Sequence, residues 1–456
     1  MKEKPLYFIL SRDRGHEVYG IAGGKGWRCP VYDREVPDLI GFEEPDAYNR
    51  WFERVYGIPV YRRYLFESEF TESTVFVLEP HYEGENRSVP GSWIRHDTAA
   101  AGAPAGSLLS RMLADLSCYY SAPCSMPWIS SGGYGIYLDW LNETFRMQGI
   151  EPAGAPRQIK SAYVSSVFRC PTAQGDLYLK IPSAVFIREL AITRQLKEWG
   201  VLPLPEWIAA DERLGCVLMK DMGGKDLPPD AGPDVLLRVM QEWAALQIRA
   251  VQWIRNRQSA YPFHDLRPEA LSAFAGSLPE ESGKWLEGSP YRLTAGETRR
   301  LAAGIVRWQE SCRLLQAGAV PLSLDHGDLR PDNIRLVPEG IVFYDWAWSA
   351  VAHPFISAAA FLHHLSGSQP KDVIMHLKEG YLEAWTSFAA RNELEELYEA
   401  AVRLQPLQAA ALESRWMAEL AAGGTGGGSV SPASPDAWTL ERRQFYYAQA
   451  LRRLQE

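Results

Sequence analysis

The sequence predicts an α+β chain of more than one domain, with strand-rich regions first and a long helical region last. Three observations predict it. The chain has 456 residues, and single hydrophobic cores rarely grow past roughly 250–300 residues. Short runs of β-branched and aromatic residues, bounded by turn formers, recur through the first half, as strands require. From Pro233 onward the apolar residues recur at helical spacing almost throughout. The composition, 46% apolar and 23% charged with 16 Trp, is that of a globular protein able to bury large cores.

In chain order, Leu6 to Leu10 and Thr74 to Leu78 predict strands, and Pro45 to Tyr56 between them predicts a helix. Leu108, Leu109, Met112, Leu113 and Leu116 fall at helical intervals, and a second helix is predicted over Leu138 to Met147. Glu151-Pro-Ala-Gly-Ala-Pro156 has the composition of a linker, because its prolines and glycine suit neither a helix nor a strand interior. Beyond it, Ile159 to Cys170 and Asp176 to Ile181 predict neighbouring strands, Ala184 to Trp199 a helix, and Cys216 to Lys220 a strand ending at Gly223-Gly224. Short strands are expected within Leu322 to Tyr344, and a loop over Gly423 to Pro435. These elements give an N-terminal α+β domain over 1–98 and a helical connector with linker over 99–156. A strand-rich small lobe over 157–224 and a helical large lobe over 225–456 follow.

The net charge of −9 provides no basic footprint, so nucleic acid is not an expected partner. The six cysteines show no C-x-x-C pair, which argues against a zinc site or a disulfide framework. No signal-peptide pattern or membrane-length apolar run occurs. The expectation is a cytoplasmic protein with no membrane partner.

The chemistry concentrates in Asp325-His-Gly-Asp-Leu-Arg-Pro-Asp-Asn333, followed by the apolar run Ile341 to Tyr344 and Asp345-Trp346. Phosphoryl transfer needs a carboxylate near the attacking hydroxyl and oxygen ligands for magnesium on the phosphates. Asp328 and Asn333 stand at the spacing of a kinase catalytic loop, and Asp345 follows an apolar strand as a metal-binding aspartate does. Upstream, Leu177, Leu179 and Ile181 alternate with Tyr178 and Lys180, which turns Lys180 to the opposite face from the core. Glu189, Ile192, Leu196 and Trp199 share one helix face, so Glu189 needs a cationic partner, and Lys180 is the natural one.

His326-Gly-Asp328 with Asn333 and Asp345-Trp346 resembles the motif set of the aminoglycoside phosphotransferase and choline kinase-like family. The resemblance covers roughly 159–365 and implies a two-lobed protein kinase-like fold. It implies transfer of the terminal phosphate of ATP or GTP to a small hydroxylated molecule, with Mg2+ as cofactor. Asp328 then corresponds to the catalytic base, Asn333 and Asp345 to metal ligands, and His326 to a residue that shapes the loop. Lys180 and Glu189 match the kinase lysine–glutamate pair, and the chain around Lys220 and Met222 matches the hinge that meets adenine. Two departures stand out. Ser161 to Val167 has no glycine where kinases carry a Gly-rich phosphate loop, leaving Ser161, Ser165 and Ser166 as donors. His353-Pro-Phe-Ile-Ser357 lacks the family's acidic residue after a proline, so that stabilising carboxylate is missing or supplied elsewhere.

Arg330 suits either a phosphate contact or a structural ion pair. The acidic run Glu393, Glu395, Glu396 and Glu399 suits either a cationic acceptor or a solvated helix face. Arg50 to Ile58 faintly resembles the end of a Nudix helix in which Trp51, Arg54 and Val55 replace the metal-binding glutamates, which suits either a degenerate Nudix-like domain without hydrolase activity or a chance match on an amphipathic helix. The alternative to a working kinase is a catalytically degenerate one that binds nucleotide or a partner.

Overall fold

The computed structural model describes residues 6–12, 17–23, 26–28, 31–32, 45–68, 73–80, 91–95, 110, 113, 124–129, 133–200, 203–228, 230–255, 262–423 and 435–455. The helix expected through Leu108 to Leu116 lies outside the described residues except at 110 and 113. So does the expected Gly-rich loop, over 424–434. The described residues divide into two compact units, Met1–Phe186 with Trp207–Asp221 and Leu420–Leu440, and Ile187–Glu206 with Met222–Glu419 and Glu441–Glu456. The α+β class expected from the sequence is the class observed, with the large sheets in the first unit and most helices in the second.

In the first unit, β1 (Leu6–Arg12), β2 (Glu17–Gly23), β3 (Gly26–Arg28), β4 (Val31–Tyr32), β5 (Val60–Ser68), β6 (Ser73–Pro80) and β7 (Gly91–Arg95) form one mixed sheet. β1 and β6 run parallel, Tyr7 opposite Val75, and the other pairings are antiparallel. Helix α1 (Asp46–Tyr56) opens with Asp46, which bridges Arg50 one turn on at 3.0 Å. It closes at Gly57, whose φ of 69° gives a left-handed cap. Trp51, one of the residues at the Nudix glutamate positions, is buried.

Helix α2 (Gly135–Gln148) precedes a second, wholly antiparallel sheet. Its strands are β8 (Arg157–Ser161), β9 (Ser165–Thr172), β10 (Gly175–Pro182), β11 (Trp207–Asp211) and β12 (Cys216–Lys220), in the order β11-β12-β10-β9-β8. The single strand expected over Ile159 to Cys170 is therefore two. A two-residue turn at Tyr163-Val164 breaks it, closed by reciprocal bonds between Ala162 and Ser165 at 3.0 and 3.2 Å. Segment 151–156 is tied to β9 by Ala153 N–H to the Pro171 carbonyl and Ala173 N–H to the Glu151 carbonyl, each 2.9 Å.

One core joins α2, the second sheet and the start of β5. The Tyr61 ring lies 5.0 Å from Phe168 and 5.8 Å from Tyr134, both edge-on, the geometry that aromatic quadrupoles favour. Inside this core, Gln158 donates to the Tyr134 hydroxyl at 2.8 Å and accepts from Asn49 of α1 at 3.3 Å.

The second unit begins with α3 (Arg188–Trp199), whose buried stripe is Ile192, Leu196 and Trp199, as the spacing predicts. The strand β13 (Lys225–Asp226) precedes α4 (Pro233–Ile254), β14 (His264–Leu266), α5 (Pro268–Leu286) and α6 (Ala295–Ala317). Proline at the start of α4 and α5, and a Thr294–Glu297 capping box before α6, fix three of these starts. Then come β15 (Ser323–Asp325), β16 (Ile334–Val337), β17 (Gly340–Phe343), β18 (Ala350–Ala352), α7 (Pro354–Leu365), α8 (Lys371–Glu383), α9 (Arg391–Gly423) and α10 (Pro435–Arg453).

Buried polar groups of α4 hold β15 in place. The Gln247 side chain donates to the carbonyls of Leu324 and Pro354 at 3.0 and 3.1 Å, and accepts from the Tyr381 hydroxyl at 2.6 Å. Its own carbonyl accepts from the Ser323 hydroxyl at 2.6 Å. Such fully engaged amides stabilise one register of the buried strand, since an unmade bond there costs about 1–3 kcal/mol. Among the described residues, Cys124, Cys170, Cys216 and Cys312 are free thiols, and no helix is long and apolar enough to cross a membrane.

Candidate active site

The loop after β15 is shaped by its first three residues. Asp325 is fully buried, and its Oδ1 accepts the Gly327 amide at 2.7 Å. His326 is also buried and pairs through Nε2 with the Tyr344 carbonyl at 3.0 Å. Burial holds its pKa below the usual imidazole range, and the rings of Trp243 and Trp346 pack against it. Gly327 has φ +77°, and a Cβ there would stand 2.2 Å from the Trp348 carbonyl oxygen. Only glycine fits such a place.

Asp328 follows, half-buried. Pro331–Asn333 form one 3₁₀ turn, which brings Asn333 back to it: Asn333 Nδ2 donates to the Asp328 carbonyl at 2.8 Å and to Asp328 Oδ2 at 3.0 Å. The β16–β17 hairpin starts at Ile334, opposite Phe343, and the Tyr344 amide donates to the Asn333 carbonyl at 3.1 Å. Asn333 and Asp345 thus sit at the two feet of one hairpin. Asp345 has φ 63°, which no other non-glycine among the described residues shares in sign. A left-handed conformation outside glycine costs about 1–3 kcal/mol and persists only where the surrounding structure holds it.

Two of these three side chains can hold a metal. With Nδ2 committed to Asp328, Asn333 keeps its carbonyl oxygen as a donor, and the Asp345 carboxylate adds a second oxygen, the ligand type magnesium takes. Among the described residues no group of three or more His, Cys, Asp or Glu could cage a cation alone. A divalent ion here would therefore complete its shell with water and phosphate oxygens.

The remaining expected residues are placed as follows. Lys180 lies half-buried in β10 of the first unit, on the face opposite buried Leu179 and Ile181. Glu189 lies half-buried in the first turn of α3, in the second unit. Lys220 ends β12 exposed, opposite Leu177. Met222 is half-buried and followed by Gly223 and Gly224, both with positive φ.

Ser165 and Ser166 are both buried, and the Ser165 amide closes the hairpin turn. The Ser166 hydroxyl accepts from the Tyr134 hydroxyl at 3.0 Å and from Gln158 at 3.2 Å, and donates to the Lys160 carbonyl at 3.2 Å. That hydroxyl is engaged inside the unit. Arg330 is ion-paired with Asp332. Of the acidic run on α9, Glu395 bonds Lys378 at 2.5 Å and Arg391 at 3.0 Å, and Glu393 caps the Ala319 amide at 3.1 Å.

Sequence reasoning missed Glu413 of α9. Burial raises its carboxyl to about 7, against the pull of the Arg443 guanidinium, and the Asp328 charge adds to the rise. Arg443 Nη1 lies 3.2 and 3.4 Å from its two oxygens, with the guanidinium over the Trp416 and Tyr446 rings at 4.0 and 4.7 Å. The only sequence signal was an acid at position 413 between buried helical neighbours, with nothing local to identify its partner.

Solved structures of similar fold include a choline kinase from Cryptosporidium parvum, 13% identical, covering 66% of this chain and 89% of that one with a TM-score of 0.45. An ethanolamine kinase of Plasmodium vivax is 12% identical over 71% and 87%, with a TM-score of 0.44. A macrolide 2′-phosphotransferase from Brachybacterium faecium is 17% identical over 64% and 99%, with a TM-score of 0.43. No curated protein matches the chain in sequence. The model of the phosphotransferase enzyme family matches residues 156–397, more than half of the chain and the whole segment from β8 through Asp345. On that match the chain belongs to the phosphotransferase enzyme family, as a small-molecule kinase with an alcohol group as acceptor.

Proposed function

We propose that the chain transfers the terminal phosphate of ATP or GTP to a hydroxyl of a small molecule, with Asp328 as catalytic base and Asn333 and Asp345 as ligands of Mg2+. One observation carries the reading: Asn333 is bonded to both the backbone and the side chain of Asp328, and Asp345 stands at the other foot of the same hairpin. A single rigid element can therefore fix the base relative to the metal ligands, and phosphoryl transfer depends mainly on such positioning. Magnesium, when bound, neutralises charge on the phosphates. Asp328 would orient the acceptor hydroxyl and take its proton. Asn333 Nδ2, donating to Asp328 Oδ2, leaves Oδ1 of that carboxylate to face the acceptor. Lys180 is the proposed phosphate contact, Glu189 its orienting partner, and the main chain at Lys220 and Met222 the proposed adenine contact.

A nucleotide-consumption assay with ATP and GTP over a panel of hydroxylated acceptors, amino alcohols, sugars and aminoglycosides among them, tests the proposal. The expected result is acceptor-dependent release of nucleoside diphosphate that Asp328→Ala abolishes. A wild-type rate equal to that of Asp328→Ala across the panel, with magnesium-dependent nucleotide binding intact, would instead establish a binding protein.

A further inference from the structure

The family resemblance implies an acid shortly after the proline at the start of α7, and Ser357 stands there instead. Ser357 is buried, accepts from Gln247 and Trp243 at 3.1 and 3.2 Å, and donates to the Pro354 carbonyl at 3.2 Å. The carboxyl of Asp325 lies against it. Ser357 and Gln408 both present polar groups that favour the ionised carboxylate, while burial opposes them and raises it to about 6. Oδ1 is bonded to the Gly327 amide, and Oδ2 closes no hydrogen bond of full geometry.

Carboxylates are rarely buried this completely unless they hold something, because desolvation disfavours them. What Asp325 holds is the His326–Gly327 peptide, one residue before Asp328. The Trp348 carbonyl leaves no room for a side chain at Gly327, and Asp325 Oδ1 accepts its amide, so both constrain the backbone one residue before Asp328. Remove one, and the left-handed peptide can rotate.

We propose that Asp325 is the positioning residue of the catalytic loop: its carboxylate, at the end of β15, fixes the Gly327 amide and through it the Asp328 side chain. The proposal rests on the reading of Asp328 as catalytic base. It is consistent with a serine at 357, because the Asp325 carboxyl near Ser357 already supplies a buried carboxylate there.

The test compares Asp325→Leu, Asp325→Ala, Asp325→Asn and the swap D325A/S357D in the full chain. Turnover, nucleotide KM, thermal melting and hydrogen exchange of the segment 324–330 are measured on each. The Leu and Ala variants are expected to lose about 100-fold in kcat with nucleotide KM within about threefold of wild type, the split a misplaced base produces. Asn keeps an acceptor oxygen and is expected within about tenfold of wild type, and the swap should recover at least about tenfold over D325A.

Wild-type kcat in a folded Leu or Ala variant overturns the proposal, as does a swap no faster than D325A. Should the Leu variant not fold, the swap against D325A decides. Hydrogen exchange reads the contact without turnover: segment 324–330 should exchange faster in D325A and slower again in the swap, and unchanged exchange overturns the proposal. If that pattern holds while the wild-type chain transfers no phosphate, the phosphotransfer reading fails and the Gly327 contact stands.

Discussion

Two hairpins of this chain carry sequence signals for handling phosphate, and the structure treats them in opposite ways. At the feet of β16–β17, Asn333 and Asp345 leave oxygen atoms beyond the last ladder bond, and a left-handed aspartate is tolerated there. At β8–β9 the turn is closed by reciprocal Ala162–Ser165 bonds, and the Ser166 hydroxyl is absorbed by Tyr134, Gln158 and Lys160. On the proposed function, polar side chains of the first hairpin serve the chemistry, while the Ser166 hydroxyl of the second is bonded within its own unit. In this serine-rich turn the Ser165 and Ser166 side chains are buried.

The largest effect that could break this contrast lies at Asp328. Asp328→Ala is expected to lower kcat by about 10²–10⁴ with nucleotide affinity unchanged by isothermal titration. Asp345→Ala should instead weaken magnesium-dependent nucleotide binding by about tenfold or more. If both variants lost binding and rate together, the division of roles within the hairpin would be wrong.

Next in size, Gly327→Ala should destabilise the fold by about 1–3 kcal/mol in urea titration, because the new Cβ meets the Trp348 carbonyl in a left-handed backbone.

The pH dependence of stability sharpens the comparison further. Burial pushes the Asp325 carboxyl up to about 6 in the folded chain, from an ordinary aspartate value of about 3.9. The folded state therefore binds more protons between those values, and stability falls as pH rises through that window, by at most about 3 kcal/mol. Asp325→Asn should flatten this part of the profile, as denaturant midpoints at pH 4.5 and 7.5 would show. A steeper profile in the variant would contradict the assignment.

The smallest expected effect belongs to the closed hairpin. Ser166→Ala should cost about 1 kcal/mol of stability and leave nucleotide KM unchanged. A KM several-fold higher in the folded variant would return Ser166 to the phosphate.

The parts of the site that were legible are those whose geometry is set by neighbours in sequence. Asn333 reaches Asp328 across one 3₁₀ turn, and Asp345 follows a strand that pairs with the strand after Asn333, so spacing predicts that Asn333 and Asp345 stand at the feet of one hairpin. The alternation around Lys180 and the buried face of α3 were legible for the same reason. What was hidden depends on distant partners. Ser166 is engaged by residues 8 and 32 positions away. The burial of Asp325 is read only once α7 and α9 pack over β15, and Glu413 only once Arg443 of α10 arrives.

The shared core around Tyr61 bears on how this enzyme can be handled. A polypeptide beginning at residue 156, where the family match begins, would lose Asn49, Tyr61, Tyr134 and Tyr137 and leave Phe168 and the Gln158 amide facing water. Each large ring uncovered forfeits about 1.5–3 kcal/mol, and the bared sheet underside would invite clumping. The shared core places the start of an autonomously folding unit before residue 156, so recombinant fragments trimmed to the family match should be recovered mainly from inclusion bodies.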